Sequence, residues 1–187
     1  MYFATTSAVW GGGRAFYDPG VPGRVLGRAH LVTVEQFGDI VAQEMYREPG
    51  GPGAEAGVRE VLARGRAVLG DGRYETLVCA GEIDSVPVVT FTAPWGVRDV
   101  PGVSPAASYL RHLGAGLLAT GAWEDEVVAS YLAGCPGAAG CWSERGVLEL
   151  LRSGESESGG PLSGLEEAGG RGDVAVTRLS GWPPASS

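Results

Sequence analysis

The residue whose type and spacing best suit it to chemistry is a carboxylate on the apolar face of a helix. The stretch Glu35-Gln36-Phe37-Gly38-Asp39-Ile40-Val41-Ala42-Gln43-Glu44-Met45 has amphipathic spacing. At about 100° per residue its apolar stripe runs through Phe37, Ile40, Val41 and Met45. Glu35, Asp39 and Gln43 fall on the opposite side, whereas Glu44 falls about 20° from Phe37, inside the stripe. A carboxylate turned toward a core is costly unless it is paired, protonated or facing a cavity. Desolvation raises a carboxylate's pKa, which is how a glutamate becomes a general base or acid near neutral pH. Three readings stay open on spacing alone: a base in a concave site, one half of an ion pair with Arg47 or an arginine of the sheet, or simple fraying near the helix end.

Other chemistry has less to build on. Thr5, Thr6 and Ser7 have no His–Asp partners at hand for a hydroxyl nucleophile. Histidine occurs only as His30 and His112, too few for a three-histidine zinc site, and no C-x-x-C pair joins Cys79, Cys135 and Cys141. Neither a metal nor a cofactor is expected. Gly11-Gly12-Gly13 is followed by no Gly-Lys-Ser/Thr, so it is not a phosphate loop. Cys79 falls mid-strand, where a thiol is usually packing. Trp10, Tyr17, Trp95 and Trp123 suit core or loop anchoring better than base stacking. His30 sits on a strand, where it either lines the same cavity as Glu44 or hydrogen-bonds at the surface.

The composition narrows the partners. All 14 basic residues are arginine, lysine and asparagine are absent, and the 187 residues include 32 glycines and 12 prolines. That bias fits a high-GC, bacterial coding sequence. Against 22 acids it leaves a net charge of −8, a field that repels phosphate backbones and anionic membrane surfaces. Apolar runs are too short to span a bilayer, and no basic stretch precedes an apolar one at the amino end. The three cysteines suit reduced thiols. The expectation is a cytoplasmic chain acting on a small molecule, with neither nucleic acid nor membrane as partner.

The elements that must position Glu44 are legible in outline. Leu26 to Val34 reads as a strand, and Arg14 to Tyr17 as a short one between the turn signals Gly11-Gly12-Gly13 and Asp18-Pro19-Gly20. Thr33 and Gln36 form a capping box for the Glu44 helix, which runs to about Met45. A second helix is expected over about Ala54 to Leu69. Tyr74 to Ala80 and Val86 to Thr92 predict a hairpin joined by a loop over Gly81 to Ser85. Three helices follow: one opened by Ser104-Pro105, one over about Glu124 to Leu132, and one from Ser143 to about Leu151. Beyond residue 152 periodicity is lost, so a domain over 1–152 and a disordered tail over 153–187 are expected. The Arg171-Gly172-Asp173 triplet in that tail is read as coincidence.

In this helix and the hairpin after it, the sequence resembles the γ-glutamylcyclotransferase family. The resemblance lies in a strand over Val25 to Val32, a capped helix ending in Gln43-Glu44, and a hairpin opened by Tyr74. Ser104-Pro105-Ala106-Ala107-Ser108-Tyr109-Leu110 is similar to the family's Pro-Ser-x-x-Tyr helix. A short helix like Glu124 to Leu132 comes after it, so the likeness covers about residues 2–133 in order. It implies an α+β fold, a small mixed β-barrel with surrounding helices. It also implies a cyclisation in which the α-amine of a γ-glutamyl group attacks its own γ-carbonyl, giving 5-oxoproline and a free amine. Glu44 matches the catalytic glutamate, and Tyr74 and His30 are the expected substrate-binding residues. The chain lacks the family's Tyr-Gly-Ser-Asn loop and opening strand, so the domain is expected to be incomplete at its amino end, with an unpaired sheet edge. Similar bacterial chains often carry a histone-deacetylase label. The alternatives are therefore a metal-independent amide hydrolase or deacylase, and a vestigial domain that binds a small molecule without turning it over.

Overall fold

A computed structural model describes residues 1–45, 47–50, 52–155 and 175–179. In chain order the elements are β1 (Tyr2–Thr6), β2 (Gly13–Phe16), β3 (Arg28–Val32), α1 (Val34–Glu44), α2 (Pro52–Arg64) and β4 (Arg66–Val68). They continue with β5 (Thr76–Ile83), β6 (Val86–Thr92), α3 (Ala107–Leu118), α4 (Asp125–Gly134), α5 (Glu144–Glu155) and β7 (Ala175–Leu179). The fold class is mixed α+β, as expected. The described ladders are a two-stranded sheet, β1-β2, and a five-stranded sheet in the order β3-β7-β6-β5-β4.

The chain divides into two units. The first gathers the described residues of Met1–Phe16, Arg24–Leu26 and Val97–Asp173, hence β1, β2, α3, α4 and α5. Its buried centre is Phe3, Tyr109, Leu110, Val128, Leu132 and Val147. Backbone bonds stitch β1 to two loops: Phe3 N–H donates to Pro136 O at 2.7 Å, and Val103 N–H donates to Phe3 O at 3.0 Å. The approach is close because glycine lies on the loop side. At Gly137, with φ of 92°, a Cβ would press on the Phe3 carbonyl oxygen.

The second unit gathers Tyr17–Gly23, Gly27–Gly96 and the described part of Val174–Ser187. It holds the five-stranded sheet, with α2 packed on β4 and β5, and α1 packed on α2 and β7. Its buried apolar residues include Phe37 and Val41 of α1, Val58 and Val61 of α2, and Ala67, Leu77 and Val89 of the sheet.

Several boundaries differ from the sequence pattern, among them the starts of β3 at Arg28 and of β5 at Thr76. The second helix stops at Arg64 rather than near Leu69, because Gly65 takes a φ of 78° and turns the chain into β4. On β4 Ala67 is buried between exposed Arg66 and Val68, whereas helical spacing places Val68 on the apolar face. The hairpin loop is shorter than expected. β5 runs on to Ile83, and Asp84 and Ser85, at φ of 50° and 63°, make a two-residue turn. Helix α3 begins at Ala107, two residues beyond the Ser104-Pro105 signal, with Ala106 in the cap position. Of the stretch 153–187, residues to Glu155 continue α5, and Ala175–Leu179 form β7, with β-branched Val176 and Thr177. The remainder, including Arg171-Gly172-Asp173, lies outside the described residues.

Candidate functional site

The Glu44 helix is built as its sequence dictates. Thr33 caps it: Gln36 N–H donates to the Thr33 hydroxyl at 3.2 Å, and Thr33 N–H donates to Gln36 Oε1 at 2.9 Å. Phe37, Val41 and Ala42 are buried, while Glu35 and Gln43 are exposed. Glu44 is the last residue of α1 and is half-buried on the Phe37–Val41 side. Asp39, on the polar side, is also half-buried, and its Oδ1 accepts Gly50 N–H at 2.9 Å. The chain leaves α1 through Met45, whose N–H donates to Val41 O and Ala42 O, and Arg47 N–H returns to Ala42 O at 2.8 Å.

Arg47 ties this exit to the turn before β5 by pairing with Glu75. Glu75 Oε2 also accepts Gly72 N–H at 2.7 Å, and Glu75 O accepts Leu69 N–H at 2.7 Å. Tyr74, next to Glu75, is buried and packs edge-to-face on Phe91, with ring centroids 5.6 Å apart. The Arg47–Glu75 pair therefore brings the Glu44 end of α1 and the Tyr74 turn to the same region of the second unit. His30 stands exposed on β3, paired in register with Thr177 of β7.

A separate cavity of about 390 Å³ opens in the second unit, lined by Asp18, Pro19, Gly20, Arg66, Ala93, Pro94, Trp95 and Gly96. Glu44, Tyr74 and His30 are not among its lining residues. Its walls are held locally. Asp18 Oδ1 accepts Gly20 N–H at 2.8 Å, and the Thr92 hydroxyl donates to Tyr17 O at 2.5 Å. Sequence reasoning passed over this cavity. Asp18-Pro19-Gly20 showed only as a turn, Trp95 as an anchor, and Arg66 as part of a helix. Gly65, a glycine of the kind that ends a helix, was the one signal that could have moved Arg66 out of the helix.

Among the described residues no group of three or more His, Cys, Asp or Glu side chains could hold a metal ion. Cys79, Cys135 and Cys141 are free thiols. In the first unit burial pushes the Tyr131 phenol and the Cys135 thiol above their ordinary pKa values. The Cys135 Sγ–H donates to Tyr131 O at 3.2 Å within α4's last turn. Among the described residues no helix is long and apolar enough to cross a membrane. No protein-family model matches the chain, and no curated protein or solved structure shows a significant match to it.

Proposed function

We propose that the chain is a γ-glutamylcyclotransferase-like acyl-transfer enzyme of the bacterial cytoplasm, acting on a small γ-glutamyl amine or a related compound. The observation that carries this reading is Glu44, half-buried on the apolar side of a capped helix, at the end tied by Arg47 and Glu75 to the Tyr74 turn. The resemblance of the Gln43-Glu44 and Tyr74 segments to that family points to the same residue. The reading includes closure of the five-stranded sheet, whose outer strands are β3 and β4, into a small mixed barrel.

In this reading Glu44 takes a proton from the substrate's α-ammonium group. The freed amine attacks the γ-carbonyl carbon four bonds along the same molecule, closing a five-membered ring, so proximity is built into the substrate. Collapse of the tetrahedral intermediate breaks the γ-amide C–N bond. Glu44 returns its proton to the departing nitrogen, then takes the surplus proton of the ring nitrogen and passes it to the released amine, leaving 5-oxoproline and an ammonium product. Tyr74, and His30 from β3, serve as the substrate wall.

The test is 5-oxoproline release from a γ-glutamyl amino acid by the wild-type chain and by Glu44→Gln. Loss of the base lowers the rate by roughly 10²-fold or more. Equal rates, or no release by the wild type, overturn the reading.

A further inference from the structure

We propose that the cavity between the 17–20 and 93–96 segments binds a small organic carboxylate with a flat body, Arg66 holding the carboxylate and Trp95 the body. This site is distinct from Glu44 and does not rest on the cyclotransferase reading.

The first reason is charge. Arg66 lines the cavity and, among the described residues, has no ion-pair partner, in a chain where 22 acids outnumber 14 arginines. A planar guanidinium matches a carboxylate with two parallel hydrogen bonds. Asp18, on the same lining, opposes a second negative charge on the ligand. That favours a monoanionic carboxylate over a phosphate dianion. At about 390 Å³ the space lies at the small end for ligand pockets. Gly20, Ala93 and Gly96 leave it open beside the Trp95 indole.

The second reason is the surface beneath. Arg66 pairs in register with Val78, and Val78 with Thr90; Val68 pairs with Thr76, and Thr76 with Thr92. Alternation puts Arg66, Thr76, Thr90 and Thr92 on one face of β4-β5-β6. Thr76 and Thr90 are fully buried there, and their hydroxyls have no hydrogen-bond partner among the described residues. Val68 and Val78 share that face, and neither Thr76 nor Thr90 lines the cavity. Buried hydroxyls are nearly always satisfied, so these two are suited to ordered water rather than to direct contact with the guest. The third hydroxyl, Thr92, fixes Tyr17 O and with it the 17–20 wall. The site is therefore shaped before a ligand arrives, which limits the ordering cost of binding.

Fluorine NMR line broadening with 4-fluorobenzoate on the full chain tests the proposal, with 4-fluorobenzamide as the neutral isostere. The wild type should broaden the benzoate signal and leave the benzamide signal sharp. Arg66→Gln should weaken benzoate binding at least about tenfold, the scale of one lost charge-assisted contact, and Trp95→Ala should weaken benzoate binding as well. Arg66 is exposed on a three-residue strand, so an unchanged thermal midpoint of Arg66→Gln confirms that its fold survives. The benzamide comparison needs no variant. Equal broadening of both probes, undiminished binding by Arg66→Gln, or no broadening of benzoate by the wild type overturns the proposal. Displacement by inorganic phosphate at lower concentration than by unlabelled benzoate overturns the carboxylate assignment.

Discussion

Arg47 and Glu75 form an ion pair that closes the gap between the end of the Glu44 helix and the turn that opens β5. The partners are unequal: the Arg47 side chain is 56% exposed and that of Glu75 15%. Glu75 also receives the Gly72 N–H. Arg47→Ala should therefore cost about 0.5 kcal/mol, the scale of a solvent-screened pair. Glu75→Ala removes a turn hydrogen bond as well and should cost about 2 kcal/mol. Urea denaturation of both variants and of the double mutant measures the difference, and equal costs would show that the Gly72 contact contributes nothing.

The capping box gives a second expectation. Thr33→Ala leaves Gln36 N–H without its acceptor and should destabilise the second unit by about 1 kcal/mol. Thr33→Ser retains the acceptor and should stay close to wild type. Hydrogen exchange at the first turn of α1 reads the effect locally, and equal protection in both variants would count against it.

Close packing in the first unit sets a third. Gly137→Ala needs both a left-handed backbone at φ of 92° and room where the Phe3 carbonyl already stands. A loss of about 2–3 kcal/mol is expected from strain and overpacking together. Gly134→Ala, on α4 with open space at its Cβ position, should be neutral or slightly stabilising. Thermal midpoints of the two variants check the contrast.

The fourth concerns acid stability. The Arg152 guanidinium donates to Asp125 Oδ2 at 2.7 Å, and that contact holds the Asp125 carboxyl below its ordinary pKa. An unfolded aspartate titrates near pH ~3.9. Through that window the folded chain binds fewer protons than the unfolded one. The stabilisation is thus fully present above the unfolded value and disappears as pH falls through the lowered folded value. Asp125→Asn should lower the thermal midpoint at neutral pH, with the gap from wild type closing as the pH falls below the unfolded value and through the lowered folded one. A gap that stays constant throughout that fall would remove the ion pair from the account.

Local signals were the legible ones. Thr33 and Gln36 announced the helix start three residues apart, and the structure has both capping bonds. Glu44 was placed by periodicity on the Phe37–Val41 side, and it is half-buried, as Asp39 on the polar side also is. The cavity was hidden because its residues come from three separated segments, around Asp18, Arg66 and Trp95. Strand pairing, which no single sequence window contains, assembles them. Asp84-Ser85 hid the hairpin's true length because neither residue is the glycine that usually marks a left-handed turn. The edge-to-face contact of buried Tyr74 with Phe91 was not legible either, because it joins the turn before β5 to β6.

The position of β7 has a kinetic consequence. β5 and β6 are joined by two residues and can pair as soon as both exist, whereas β7 lies between β6 and β3, with Arg28 beside Ala175. Closing so long a loop must be met in chain entropy before its contacts repay it. The hairpin should therefore act as an early template, and β3 should join the sheet only when β7 docks between it and β6. Until then β6 presents a raw edge, the kind of surface on which a second chain can pair. The refolding yield of this protein should thus fall with concentration more steeply than its equilibrium stability alone would suggest.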